Sequence, residues 1–96
     1  MIKHIVSFKL KDKSEENLKY TRDILLSMRE NVPLVKDIQV GLDFLHSQRS
    51  YDVILEVILE SRDVLDDYQN DPYHVNVVKK HMHAASESSI SVDYDL

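Results

Sequence analysis

The run DDYQNDPYHVNVV, Asp66 to Val78, sets Tyr68 and His74 on either side of a proline. Imidazole titrates close to neutrality, so a histidine is a natural proton acceptor, and a phenol can offer a hydrogen bond beside it. On an unbroken helix the two side chains would point about 120° apart. Pro72 cannot continue a helix begun upstream, because its ring clashes with the preceding turn, but it suits the first position of a new one with Asp71 as N-cap. The chain is therefore expected to bend here and turn Tyr68 and His74 toward one shared space. Taken alone, His74 fits equally well a half-buried histidine bonded to a backbone carbonyl.

His4 adds weight to the chemical reading. It shares a strand face with Val6 and Phe8, where an aliphatic residue would need no partner and a buried imidazole must keep one. A polar residue in that place suggests a lined cavity. If the first and last strands are antiparallel neighbours, His4 meets Asp93. A carboxylate at an imidazole fixes its tautomer, which serves catalysis or a structural polar pair. His81 and His83, two residues apart on a helix, point to roughly opposite sides and cannot chelate a metal together. They are expected to be exposed at a helix C-terminus. Neither a glycine-rich phosphate loop, a Ser-His-Asp order nor an HExxH pattern occurs, and no metal and no cofactor is expected.

These residues need elements to hold them. Ile2, His4, Val6, Phe8 and Leu10 alternate with Lys3, Ile5, Ser7 and Lys9, the period of a strand. Ser14 is predicted to cap a helix with Glu15 and Glu16 in its first turn. Its stripe of Leu18, Thr21, Leu25, Met28 and Val32, broadened by Ile24, faces the core until Asn31 and Pro33 end it. Lys36 to Phe44 reads as a second strand, in which Gly41 marks a bulge or a close backbone approach. Tyr51 to Leu59 is the third strand, apolar on both faces, as when both faces are covered. Ser61 is predicted to cap a short helix through Tyr68, and Asp71-Pro72 to start another running to about His83. Glu87 to Tyr94 is the last strand, with Ile90, Val92 and Tyr94 opposed to Ser89, Ser91 and Asp93. The order β-α-β-β-α-β is that of the ferredoxin-like sandwich, an α+β fold with a four-stranded antiparallel sheet. Residues 1–96 read as a single domain.

Helices can cover only one face of such a sheet, so Ile5, Ile54, Ile58 and Val92 on the other face need another cover. A second copy is expected, giving a homodimer in which two sheets close a symmetric α/β barrel. Seventeen acidic against twelve basic residues, a formal charge of -5, disfavour nucleic acid. Lys9, Lys11 and Lys13 read as a solvated strand end. No stretch approaches the ~20 apolar residues of a membrane span, so no membrane is expected as a partner. The absence of cysteine excludes disulfides and thiolate metal sites and gives no sign of an oxidising compartment, which leaves the cytoplasm as the expected location.

The opening MIKHIVSFKL, the segment DYQNDPYHV and the closing SISVDYDL together make the chain resemble the stress-responsive dimeric α/β-barrel (Dabb) family, which includes olivetolic acid cyclase, over nearly its whole length. The resemblance implies a catalytic pair at Tyr68 and His74 and matches His4 and Asp93 as well; these two, with Val6, Phe8, Val53 and Leu55 on the strands, are expected to line the ligand pocket. The resemblance further implies cofactor-free aldol cyclisation, in which the imidazole removes a proton next to a carbonyl and the phenol hydrogen-bonds the developing enolate oxygen. Where the cyclase has pocket histidines this chain has Asp71 and Val53, and where it has aromatics on the first helix this chain has Thr21, Arg22 and Leu25. Those departures argue against a long polyketide. The expected function is binding of a small carbonyl-bearing or aromatic metabolite by a homodimer, with cyclase- or lyase-type acid-base chemistry. The alternatives are a non-catalytic, stress-linked binding or structural protein and a cofactor-free monooxygenase on the same barrel.

Overall fold

The computed structural model describes residues 1–96, and its strands follow the alternation of the sequence. In chain order the elements are β1 (Ile2–Leu10), α1 (Glu15–Leu26), α2 (Met28–Asn31), β2 (Asp37–Leu42), β3 (Val53–Leu59), a 3-10 turn (Arg62–Val64), α3 (Leu65–Gln69), a π-helix (His74–Lys79), α4 (Lys80–Ala85) and β4 (Ser86–Asp95). The sheet has the order β2-β3-β1-β4, with every neighbouring pair antiparallel, and the fold is ferredoxin-like.

The helical layer forms where the apolar stripe and the caps direct it. Ser14 accepts the Asn17 amide at 3.2 Å, Glu15 and Glu16 occupy the first turn, and Leu18, Thr21 and Leu25 are buried. The stripe continues through buried Met28 and Val32. Between Leu25 and Met28 the helix breaks at Ser27, whose amide reaches the carbonyls of both Asp23 and Ile24. Against this layer β3 packs Val53, Leu55, Val57 and Leu59, joined by Ile2 and Leu10 of β1 and Ile38 of β2.

Several expected boundaries move. Phe44 falls outside β2 and is 88% exposed, and Tyr51 precedes β3, where Lys9 lies over its ring at 4.8 Å. Lys13 is not merely solvated: it binds the buried carboxylate of Asp52 at 2.7 Å, which also accepts the Leu10 amide at 2.8 Å. Burial pushes the Asp52 pKa up, but the bonds from Lys13 and Leu10 outweigh it and hold it below the ordinary value. Ser61 offers no side-chain cap, and a 3-10 turn precedes α3 instead. Asp71 does cap the restart after Pro72, its Oδ1 accepting the amides of Tyr73 at 2.9 Å and His74 at 3.1 Å. From His74 the helix winds as a π-helix before tightening into α4.

Gly41 is a site of close approach and not a bulge: a Cβ there would stand 3.0 Å from Ile54 Cγ2. The bulge lies in β4 instead. Lys9 and Leu10 pair with Ser88 and Ser86, which leaves Glu87 as the extra residue. Within the chain β3 is covered only on its helix side. On the other face Ile5 and Ile58 are half-buried and Ile54, Ile90, Val92 and Tyr94 are exposed, with an ion pair between Lys3 and Glu56 at 3.5 Å among them.

Candidate functional site

Tyr68, at the end of the short α3, is fully buried and sits between two imidazoles. Its ring centre lies 4.5 Å from that of His74, tilted by 42°, and 5.6 Å from that of His4, which it meets edge-on at 68°. The bend at Asp71-Pro72 makes the first contact, by returning the chain so that His74 Nδ1 stands 3.0 Å from the Tyr68 carbonyl. A carbonyl only accepts, so Nδ1 carries the proton and Nε2 keeps its lone pair in the neutral ring. Burial holds the His74 pKa below the ordinary imidazole value; Lys79 and His4 act in the same sense, and the Tyr68 carbonyl and Asp71 partly oppose them.

His4 is held from the sheet side. It faces Asp93 directly across the β1-β4 pair, and its Nδ1 is hydrogen-bonded to the Asp93 carboxylate. The acceptor is again an oxygen, here of a carboxylate, so Nδ1 is the donor in this contact, and in the neutral ring Nε2 keeps its lone pair. Tyr68 donates its hydroxyl to Met28 Sδ at 3.7 Å. Burial, reinforced by the charges of Asp71 and Asp93, raises the phenol pKa, and the group stays protonated.

Between the sheet and the second helical region lies a cavity of about 430 Å³. His4, Val6 and Phe8 of β1 and Leu55 of β3 form its sheet wall; Leu25 of α1 and Gln69, His74, Val78, Lys79, Met82 and His83 form its helical wall; Ser86, Glu87, Ser88, Ser89 and Ser91 of β4 complete it. Of the residues expected from the sequence, His4, Val6, Phe8, Leu55 and His74 line this space. Val53 lies in the core, Tyr68 stands behind the two imidazoles, and Asp93 reaches the cavity through His4. No group of three or more His, Asp or Glu side chains is placed to hold a metal ion.

The residues missed by sequence reasoning are the β4 serines and the helical wall. Val78 and Met82 follow His74 at intervals of four, a signal that was present, whereas the π-helical winding that sets their direction has none. His81, expected to be exposed, is half-buried: its ring meets Tyr20 edge-on at 5.4 Å and its Nε2 lies 3.4 Å from Thr21 Oγ1. His83 is exposed and stands at the cavity rim.

The fold recurs among solved structures. A dimeric protein of unknown function with a ferredoxin-like fold from Bacteroides fragilis superposes with a TM-score of 0.81 at 24% identity, covering 99% of this chain and 95% of its own. At3g17210 from Arabidopsis thaliana gives 0.85 at 20% identity, covering 100% and 95%. A hydroxynitrile lyase from Passiflora edulis gives 0.79 at 16% identity, covering 99% and 92%. No curated protein matches the sequence. The sequence model of the Stress responsive A/B Barrel Domain, Dabb, matches residues 2–96, and the chain belongs to that family.

Proposed function

We propose that this protein is a cytoplasmic homodimer that binds a small carbonyl-bearing or aromatic metabolite in the cavity between sheet and helices. There His74, assisted by His4, performs cofactor-free acid-base chemistry of the cyclase or lyase type. One observation carries the proposal: two imidazoles with both Nδ1 positions engaged line one cavity together with the apolar side chains of Val6, Phe8, Leu25, Leu55 and Val78. The lowered pKa of His74 keeps it a free base at neutral pH, the state that can take a proton next to a carbonyl. That a hydroxynitrile lyase shares this fold supports lyase-type chemistry as one the architecture can host. Dimerisation is supported by the uncovered apolar face of the sheet and by the dimeric description of the Bacteroides fragilis protein. No helix is long and apolar enough to cross a membrane.

Tyr68 is the proposed donor to the developing oxyanion, and its weak bond to the Met28 thioether is the one it would exchange. The same bond favours a second reading, binding without catalysis, because the hydroxyl is aimed at Met28 and Tyr68 does not line the cavity. Titration of carbonyl and aromatic compounds into isotope-labelled protein, followed by turnover assays on each binder, separates the two. Under the catalytic reading His74→Ala stays folded and turnover of an activated β-polycarbonyl falls by ~10²-fold or more. A wild-type protein that binds such compounds and never transforms them leaves the second reading. One that binds none, in the cavity or elsewhere, removes both.

A further inference from the structure

We infer that the inward face of β4 is the wall that selects the ligand, and that the ligand carries uncharged oxygen functions, hydroxyl or carbonyl, along one edge and is apolar along the other. This rests on the pocket reading above, and it holds whether or not the bound molecule reacts.

The inference comes from an inversion in β4. Paired residues of neighbouring strands share a face, so Ser91 stands beside Val6 and Ser89 beside Phe8 on the cavity side of the sheet. The side of a strand that looks toward a helical layer is ordinarily its apolar side. Here the apolar residues Ile90, Val92 and Tyr94 are on the opposite face. Exposure alone does not explain this placement, because beyond Ser88 both faces of the strand are exposed, yet Ser89 and Ser91 stand inward where Ile90, Val92 and Tyr94 stand outward.

The bulge extends the pattern. By leaving Glu87 extra, it sets Ser86 opposite Leu10 and so on the inward side with Ser89 and Ser91. The Ser86 hydroxyl is buried and has no hydrogen-bond partner within the chain. Ser89 and Ser91, two residues apart on a strand, present hydroxyls about 7 Å from each other, each able to donate and to accept. Away from β4 the lining is apolar at Val6, Phe8, Leu25, Leu55, Val78 and Met82, with the polar side chains of the helical wall among them. The hydroxyls of β4 thus border the largest apolar part of the lining.

Charge at the rim points to a neutral ligand. Glu87 and Lys79 both stand on the lining, one charge of each sign, so the rim as a whole favours neither an anion nor a cation; Lys79 also donates to the Gln69 carbonyl at 2.7 Å.

The test uses three single-ring probes titrated into the full chain and followed by amide chemical shifts: 3-hydroxyacetophenone, ethylbenzene and 3-hydroxybenzoate. Wild type should bind 3-hydroxyacetophenone at least roughly tenfold more tightly than ethylbenzene, about the worth of one or two hydrogen bonds. The Ser89→Ala/Ser91→Ala variant should lose that preference while keeping its affinity for ethylbenzene and its melting temperature. A variant that keeps the preference overturns the serine wall and leaves the pocket standing. Tighter binding of 3-hydroxybenzoate overturns the assignment to an uncharged ligand. If no probe moves the amides around the cavity, the pocket reading falls and this inference falls with it.

Discussion

Tyr68, His4 and His74 form one interlocked unit, and each has a different sensitivity to change. Tyr68 fills the space between the imidazoles with its ring, whereas its hydroxyl makes only a weak bond to sulfur. Tyr68→Phe should therefore change stability by no more than ~1 kcal/mol, and Tyr68→Ala should cost about 3 to 5 kcal/mol through the cavity it opens; chemical denaturation of both variants measures this. His74 gives a pH signature. The unfolded chain takes up a proton near the ordinary imidazole value of 6.5, and the folded chain does so only at lower pH. The stability attributable to neutral His74 is therefore complete above that value and is lost as pH falls toward the lowered folded pKa. Melting curves from about pH 8 to about pH 5 should show a shallower decline in His74→Gln than in wild type. Coincident slopes would rule out the depressed pKa. The meeting of His4 with Asp93 was legible in the sequence because strand order and register fix it, and so was the approach of His74 to Tyr68, because Asp71-Pro72 reads as a break and restart of the helix. The direction of the Tyr68 hydroxyl was not, since Met28, 40 residues away in the chain, determines it.

At the scale of elements, the restart after α3 depends on a single carboxylate. Asp71 holds two amides of the first turn, one of them that of His74 itself, so Asp71→Ala should cost about 0.5 to 2 kcal/mol and loosen the ring that faces the cavity. Pro72→Ala tests the bend: stability should stay within ~1 kcal/mol of wild type, while the His74 ring resonances shift as the helix continues through Asp71. An unchanged ring environment would show that the cap, and not the proline, makes the bend. The strands were legible through their alternation, and the α1 stripe through its spacing of three and four. What escaped was set by contacts distant in sequence. Ser27 interrupts a stripe that reads as continuous, and its hydroxyl is 2.7 Å from that of Tyr73, in the restarted helix. The π-helix has no residue signature in HVNVVK, and the β4 serines read only as the polar face of the last strand until the cavity behind them is seen. Phe44 looked like the end of a strand by alternation alone, but Asp43 turns the chain by accepting the His46 amide at 2.7 Å.

At the scale of the whole molecule, the outer sheet face calls for a partner. Ile54, Ile90, Val92 and Tyr94 are exposed together beside half-buried Ile5 and Ile58, a largely apolar surface, crossed by the Lys3–Glu56 ion pair, of the kind that marks an interface. Sedimentation should show a dimer at micromolar concentration, and Ile54→Lys, which would bury a charge at a cost of several kcal/mol, should yield a monomer or insoluble protein. A wild-type chain that stays monomeric at that concentration sinks the barrel assembly. The inversion of β4 then carries a consequence for what kinds of genetic change the protein tolerates. One strand serves two surfaces, serines toward the cavity and Ile90, Val92 and Tyr94 toward the partner, and strict alternation keeps them apart. A change of residue type alters one surface; a change of strand length exchanges residues between both. Deleting Ser91 while Val92 stays opposite Ile5 brings Ile90 beside Val6 and into the cavity, and takes it from the outer face. Ser91→Ala should weaken only ligand binding, whereas the deletion should weaken binding and self-association together, so that in this strand in-frame indels act as double lesions where substitutions act as single ones.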